Sequence, residues 1–242
     1  MTKRRVQRQD WAEAEGRVFW FDNFLEAPRC EGILAELEFA LWRPSTVYLE
    51  GEGGKHQYVH SRRRIGSTTS ERWFTPPLRR AIALIDRRVG RHLPQAPSHR
   101  EEWQATIYER GGRFDYHHDS GYFDDDAAGE RTHSVVLYLE TPERGGETRF
   151  PLLDLSVKSL SGRLLIWNNL DSSGQSDPDM LHASMPVLKG RKTILITWIR
   201  QREGWVATQK RRSQGRVSKR RRSQRSSRNM ARRSISRPNR RC

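Results

Sequence analysis

The chain has 242 residues, 34% of them apolar and 31% charged, and a formal net charge of +16. A chain of this size can bury one good-sized core, so one domain with an appendage is the expected organisation. Two cysteines, Cys30 and Cys242, exclude a disulfide framework, and no run approaches the roughly 18 apolar residues that would span a bilayer.

The charge is unevenly placed. From Lys210 to Cys242 there are fifteen Lys and Arg and no acid, which leaves 30 basic against 29 acidic residues elsewhere. The body is near neutral, and the basicity belongs to the tail. Residues 203–242 read as a disordered Arg/Ser-rich tail, too poor in aliphatic and aromatic side chains to fold. Its stretch 210–242 is open to three readings: nucleic-acid contact through phosphates, nuclear targeting, or an inert extension. No aromatic residues are interleaved to stack on bases. At the other end, residues 1–16 read as a short basic extension with no apolar stretch behind it. No secretory signal is seen, and the expected location is intracellular, cytoplasmic or nuclear.

Residues 17–25 read as a strand and a turn. A helix then starts at Pro28, with Cys30, Ile33, Leu34, Leu37 and Leu41 at helical spacing. Leu78, Ala81, Ile82, Ile85 and Val89 repeat that pattern in a second helix, opened by Pro76-Pro77 and closed before Pro94. Between the helices, residues 44–75 are rich in Gly, Ser, Thr and Arg and read as a solvated loop. From Trp103 the pattern changes to short β-branched and aromatic runs: 103–108, 132–139, 147–150, 163–167 and 193–199. Gly111-Gly112, Gly145-Gly146, Gly162 and Gly190 punctuate them. Many short strands after leading helices predict a mainly β fold, a double-sheet jelly roll buttressed by helices.

The chemistry concentrates between Tyr108 and Lys192. His117 and Asp119 lie two apart, so on an extended strand both face one way and His118 the other. With His182 they supply two imidazoles and one carboxylate, the facial set that holds non-heme Fe(II) with positions left open. Taken alone, His117-His-Asp-Ser-Gly121 is equally a polar turn, and His182 equally a histidine near a strand end. Lys192 and Arg191 are adjacent cations, and strand alternation lets only one face inward.

Four segments carry a resemblance: Tyr108-x-x-Gly-Gly-x-Phe114, Gly145-Gly-Glu-Thr-Arg-Phe-Pro151, Leu165-Ile-Trp-Asn-Asn-Leu170 and His182-Ala-Ser-Met-Pro-Val-Leu-Lys-Gly-Arg-Lys192. Together they resemble the catalytic domain of the Fe(II)/2-oxoglutarate-dependent dioxygenases, and within them the prolyl 4-hydroxylase-like branch of alpha-subunit type. The resemblance covers about residues 17–200, densest from 103 on, and leaves out the tail. It implies a dioxygenase domain over 17–202 with a cupin-like double-stranded β-helix core. It further implies Fe(II) on His117, Asp119 and His182, with 2-oxoglutarate and O2 as cosubstrates and ascorbate as a candidate reductant. Lys192 is then expected to neutralise the 5-carboxylate of 2-oxoglutarate, with Tyr108 and Thr148 as hydroxyl partners. Trp198 shares the face of Lys192 by parity and reads first as core.

The intact Asp119 separates the chain from halogenases, which carry a small residue there. Lysine rather than arginine on the last strand argues against the nucleic-acid demethylases. Arg131 matches a substrate-holding position of the resembled branch, and Tyr116 and Trp167 are candidate aromatic walls. In that branch the region at 44–75 can also cover the substrate channel. The acidic insert Asp124–Asp126 reads as a solvated loop, or else as a feature favouring a basic substrate. The expected reaction is hydroxylation of an unactivated C–H bond, on peptidyl proline first. A free amino acid or other small molecule is the rival substrate. A nucleic-acid-associated binding protein acting through the tail is the rival of another class. The oligomeric state is left open.

Overall fold

A computed structural model describes residues 7–10, 16–50, 56–93, 96–123 and 125–203. The expected tail from 204 on, most of the expected N-terminal extension and Asp124 lie outside the described residues.

In chain order, β1 (Gln7–Asp10) and β2 (Val18–Asp22) lead into α1 (Ala27–Leu37). Five short strands follow: β3 (Arg43–Pro44), β4 (Val47–Glu50), β5 (His56–Val59), β6 (Arg64–Ile65) and β7 (Ser67–Ser70). After α2 (Pro76–Val89) and the single turn α3 (Ala96–His99) the rest of the domain is β structure. Its strands are β8 (Gln104–Tyr108), β9 (Arg113–His117), β10 (Arg131–Glu140), β11 (Arg144–Gly145) and β12 (Thr148–Phe150). Then come β13 (Leu155–Val157), β14 (Leu164–Asn168), β15 (His182–Ser184), β16 (Val187–Lys189) and β17 (Lys192–Arg200).

Eight strands form the major sheet in the order β1-β2-β14-β10-β17-β8-β7-β3, and five form the minor sheet, β13-β12-β15-β9-β6. These are the two sheets of the expected jelly roll. The long central strands of the major sheet are buried on both faces, which is why they read as nearly unbroken apolar runs. On β10, Val135 and Leu137 face the helices, while Val136 and Tyr138 face the space between the sheets. The helix-side core takes Ile33 and Leu37 from α1 and Leu78, Ile82, Ile85 and Val89 from α2. Each such side chain contributes roughly 1.5–3 kcal/mol on burial.

Local sequence sets the helix ends. Thr75 caps α2 by accepting a hydrogen bond from the Leu78 amide (3.2 Å), and two prolines occupy the first turn. Helix α1 ends at Leu37, so Leu41, expected on its apolar face, lies beyond it and is exposed. Where α1 is approached, Gly162 has φ +81° and a Cβ there would lie 2.1 Å from the Leu25 carbonyl oxygen. The Leu25 amide donates to Gly162 O (3.0 Å), tying the helix entry to the β13–β14 turn.

The solvated-loop reading of 44–75 is corrected. Strand β7 extends the major sheet, with Thr69 opposite Ala105, and β6 extends the minor sheet, with Arg64 opposite Phe114. β4 and β5 pair with each other as a separate hairpin. Short polar strands gain pairing from neighbours distant in sequence, which local pattern does not reveal.

Candidate active site

The site begins with a register. β15 runs antiparallel to β9, and His182 sits directly opposite His117. Opposed residues of an antiparallel pair project from one face, and the two imidazole centroids are 4.3 Å apart. β9 ends at His117, and Asp119 follows in the bend after it. Strand alternation, the expected reason for the convergence, therefore does not apply to Asp119; the turn brings it back. Its Oδ1 lies 3.7 Å from His117 Nε2 and its Oδ2 lies 3.5 Å from His182 Nε2. One ligand atom from each residue falls within 4.8 Å of the others. His118 turns away, with Nε2 3.1 Å from the Pro178 carbonyl oxygen.

Hydrogen bonding fixes which nitrogen is free. His117 Nδ1 lies 2.8 Å from Asp115 O, and His182 Nδ1 lies 2.8 Å from Met180 O. A carbonyl only accepts, so each Nδ1 carries the proton and each Nε2 offers its lone pair toward Asp119. Burial, aided by the field of His182, pulls the His117 imidazole down to about 3, and burial likewise lowers that of His182. For Asp119 burial acts to raise the pKa, but the two histidines, with Arg131 and the Ser134 bond, outweigh it and hold the carboxyl at about 2. Two neutral imidazoles and one carboxylate are the protonation states a divalent cation requires. The residues fit Fe(II).

Behind the carboxylate stands a pair absent from the expected set. Ser134 Oγ donates to Asp119 Oδ2 (2.6 Å), and Asn169 Nδ2 donates to Ser134 Oγ (3.0 Å). Both are buried. Asn169 stands within the Trp167-Asn-Asn169 segment, the one trace of this pair in the sequence.

An inner cavity opens from the trio between the sheets. Lys192, Ile194, Ile196 and Trp198 alternate inward from β17 to line it, joined by Tyr108, Thr148, Trp167 and Ser184. Arg191 faces out and pairs with Glu140 (2.8 Å). Lys192 is fully buried; its Nζ donates to Gly146 O (2.7 Å) and Ser184 Oγ (2.8 Å) and lies 5.5 Å from the ring centroids of Tyr108 and Tyr138. Burial draws its ammonium down to about 7, against the opposing field of Glu147. Thr148 Oγ1 is hydrogen bonded to Tyr138 OH (2.7 Å), so its expected role is shared with a tyrosine that pattern reading had left in the core. Trp167, a candidate aromatic wall, stands behind His182, 4.7 Å between centroids at 65°, and lines the inner cavity.

Outside lies a groove of about 820 Å³ that shares His117 and Asp119 with the inner cavity. Tyr116, the other candidate wall, is exposed and lines this groove. Arg131 also reaches the groove but is committed elsewhere: Nε and Nη2 donate to the two Glu101 oxygens at 2.7 and 2.8 Å. Its guanidinium is stacked 3.8 Å from the Trp198 ring and 4.7 Å from that of Phe123. The substrate-holding reading thus meets an arginine whose directed bonds go to the protein.

Residues 103–200 match the family profile of the 2OG-Fe(II) oxygenase superfamily. Probable prolyl 4-hydroxylase 9 of Arabidopsis thaliana is 29% identical over 210 residues, covering 77% of this chain and 69% of that protein. The viral collagen prolyl hydroxylase of Paramecium bursaria Chlorella virus-1, solved as a 2OG complex, superposes with a TM-score of 0.58 at 25% identity, covering 77% of this chain and 98% of that one. Residues 103–200 of this chain thus carry a 2OG-Fe(II) oxygenase domain, similar to those of prolyl 4-hydroxylases. A third relative, prolyl 4-hydroxylase subunit alpha-2 of Caenorhabditis elegans, is 33% identical over 75% of this chain but only 34% of its own length. The oxygenase therefore uses Fe(II), 2-oxoglutarate and O2, and the double-stranded β-helix expected from the sequence is its fold. Among the described residues, no helix is long and apolar enough to cross a membrane.

Proposed function

We propose that this oxygenase hydroxylates proline within a peptide, with His117, Asp119 and His182 holding the iron and Lys192 anchoring 2-oxoglutarate. The observation that carries the reading is one buried ammonium on the same cavity as a neutral–neutral–anionic trio. Bound Fe(II) with 2-oxoglutarate and O2 supplies the chemistry that inserts a hydroxyl into an unactivated C–H bond, with release of succinate and CO2. The protein's residues bind and orient. The Lys192 ammonium meets the distal carboxylate of 2-oxoglutarate, trading its bonds to Gly146 O and Ser184 Oγ for a charge pair in a water-poor cavity. The Thr148–Tyr138 pair offers hydroxyl donors beside it. Ser134, steadied by Asn169, holds the Asp119 carboxylate in one orientation. Trp167 and Phe150 pack on His182 and exclude water from its buried side. The outer groove, running past the trio, accommodates an extended peptide better than a lone amino acid.

The test is succinate formation from 2-oxoglutarate by the Fe(II)-loaded full chain with ascorbate, alongside mass spectrometry of added peptides. Proline-containing peptides should gain one oxygen and stimulate succinate formation, and His182→Ala should abolish both. Oxidation of free proline with peptides untouched would transfer the activity to small molecules. Failure to bind Fe(II) or 2-oxoglutarate would refute the site.

A further inference from the structure

The outer groove carries a charge pattern that the iron chemistry does not use. Its lining includes five arginines against two carboxylates. Of these carboxylates, Glu102 is paired with Arg72 (3.1 Å) and Asp119 belongs to the iron trio. Arg131 is already answered by Glu101. Among the described residues Arg43, Arg63 and Arg64 have no acidic partner. Arg63 and Arg64 are nevertheless oriented. Arg63 Nη2 donates to Tyr116 O (3.2 Å), and Arg64 donates to Thr46 O (3.1 Å) and Thr106 Oγ1 (3.3 Å). Arg64 also stacks 4.7 Å over Phe114, whose ring lies 3.6 Å from that of His117. These neutral contacts aim the guanidiniums and leave their charge uncancelled.

The same groove is aromatic. Tyr48 stacks on Phe123 (5.4 Å, 8°) and lies 4.8 Å from Tyr58, with Tyr122 edge-on at 6.3 Å. Rings packed on one another offer edges and gaps for a pyrrolidine, and no row of open faces for successive bases. The described residues of the acidic insert do not counter the arginines. Asp126 accepts from the Ala128 amide (2.8 Å) and pairs with Arg200 (3.0 Å), and neither it nor Asp125 lines the groove. We infer that the groove selects a proline-containing peptide whose residues flanking the target proline are acidic. This inference rests on the peptidyl-proline reading. Electrostatic complementarity of this kind sets partner choice and encounter rate.

The test uses the full chain, Fe(II)-loaded, and three peptides that share one proline core and differ only in flanking Glu, Gln or Lys. KM is read from hydroxylated product at low and high salt, in the wild type and in the double variant Arg43→Glu, Arg63→Glu. The basic tail is common to both proteins, so a difference between them reports the groove. At low salt the Glu peptide should have a KM about fivefold below the Gln peptide, with the Lys peptide the poorest. High salt should erase the order, and the double variant should invert it. Equal KM values, or a Lys preference, in the wild type would overturn the inference even if the variant misfolded. An order unchanged in a folded variant would assign the preference to the tail and overturn it too. A failure of all three peptides, with free proline or a methylated single-stranded oligonucleotide oxidised, would overturn the peptidyl-proline reading and this inference with it.

Discussion

Lys192→Met replaces the buried ammonium with a side chain of similar volume, and its effect on the metal-free protein follows from the pKa. The folded value of about 7 lies below the ordinary 10.5, so the group disfavours folding wherever the unfolded chain holds the proton. That cost is fully present below pH 7 and fades as pH rises toward 10.5. At pH 6 the whole interval applies, about 5 kcal/mol at ~1.4 kcal/mol per pH unit; at pH 9 only the stretch up to 10.5 remains, about 2 kcal/mol. Against this stand two lost hydrogen bonds, to Gly146 O and Ser184 Oγ, worth about 1 kcal/mol each. The variant should therefore be about 3 kcal/mol more stable than wild type at pH 6 and nearly equal at pH 9. Urea unfolding of the metal-free full chain at both pH values measures this, while isothermal titration with 2-oxoglutarate should show binding lost. A variant less stable than wild type at pH 6, or an increment equal at the two pH values, would refute the argument.

Four further outcomes are expected. His182→Ala should lose Fe(II) binding and turnover while His118→Ala keeps both, as an anaerobic metal titration would show, since His118 points to Pro178 O. Ser134→Ala removes the 2.6 Å bond to Asp119 and should weaken metal affinity about 10- to 100-fold in the same titration. Gly162→Ala forces a Cβ to 2.1 Å from Leu25 O at positive φ and should lower stability by about 3 kcal/mol in urea unfolding. Arg131→Met breaks a buried pair but leaves Arg200 on Glu101 (2.9 Å), so a loss of about 3 kcal/mol in unfolding is expected.

What the sequence disclosed depended on whether a feature is local. The two helices were legible because four or five apolar residues recur at helical spacing between capping and proline signals. The long strands β10 and β17 were legible because burial on both faces leaves apolar runs of unmistakable composition. Strands β3, β6 and β7 were not, because two to four mostly polar residues carry no alternation and are held by partners elsewhere in the chain, while β4 and β5 pair with each other. The site divides the same way. Parity on one strand left either Lys192 or Arg191 facing inward, and the family resemblance favoured Lys192. Ser134 and Asn169 look like core filler until β10 and β14 bring them together behind Asp119. Arg64 lay inside what read as a loop, yet it touches both cavities. Its run Arg62-Arg-Arg64 was visible, but nothing local says which arginine turns inward.

The depth of each cation sets how selective it can be. As the proposed anchor, Lys192 is withheld from water until a carboxylate reaches it, so a ligand lacking that group leaves the ammonium with two neutral acceptors and recovers none of its desolvation. Discrimination for a dicarboxylic cosubstrate is then strict and resists salt. Arg43 and Arg63 are exposed and stay hydrated whether or not a peptide is present. A neutral peptide costs them little, so their preference is graded, additive and screened by salt. The two cavities meet at His117 and Asp119, yet they discriminate by different physics, and raising ionic strength should separate them: affinity for the peptide falls while affinity for 2-oxoglutarate holds.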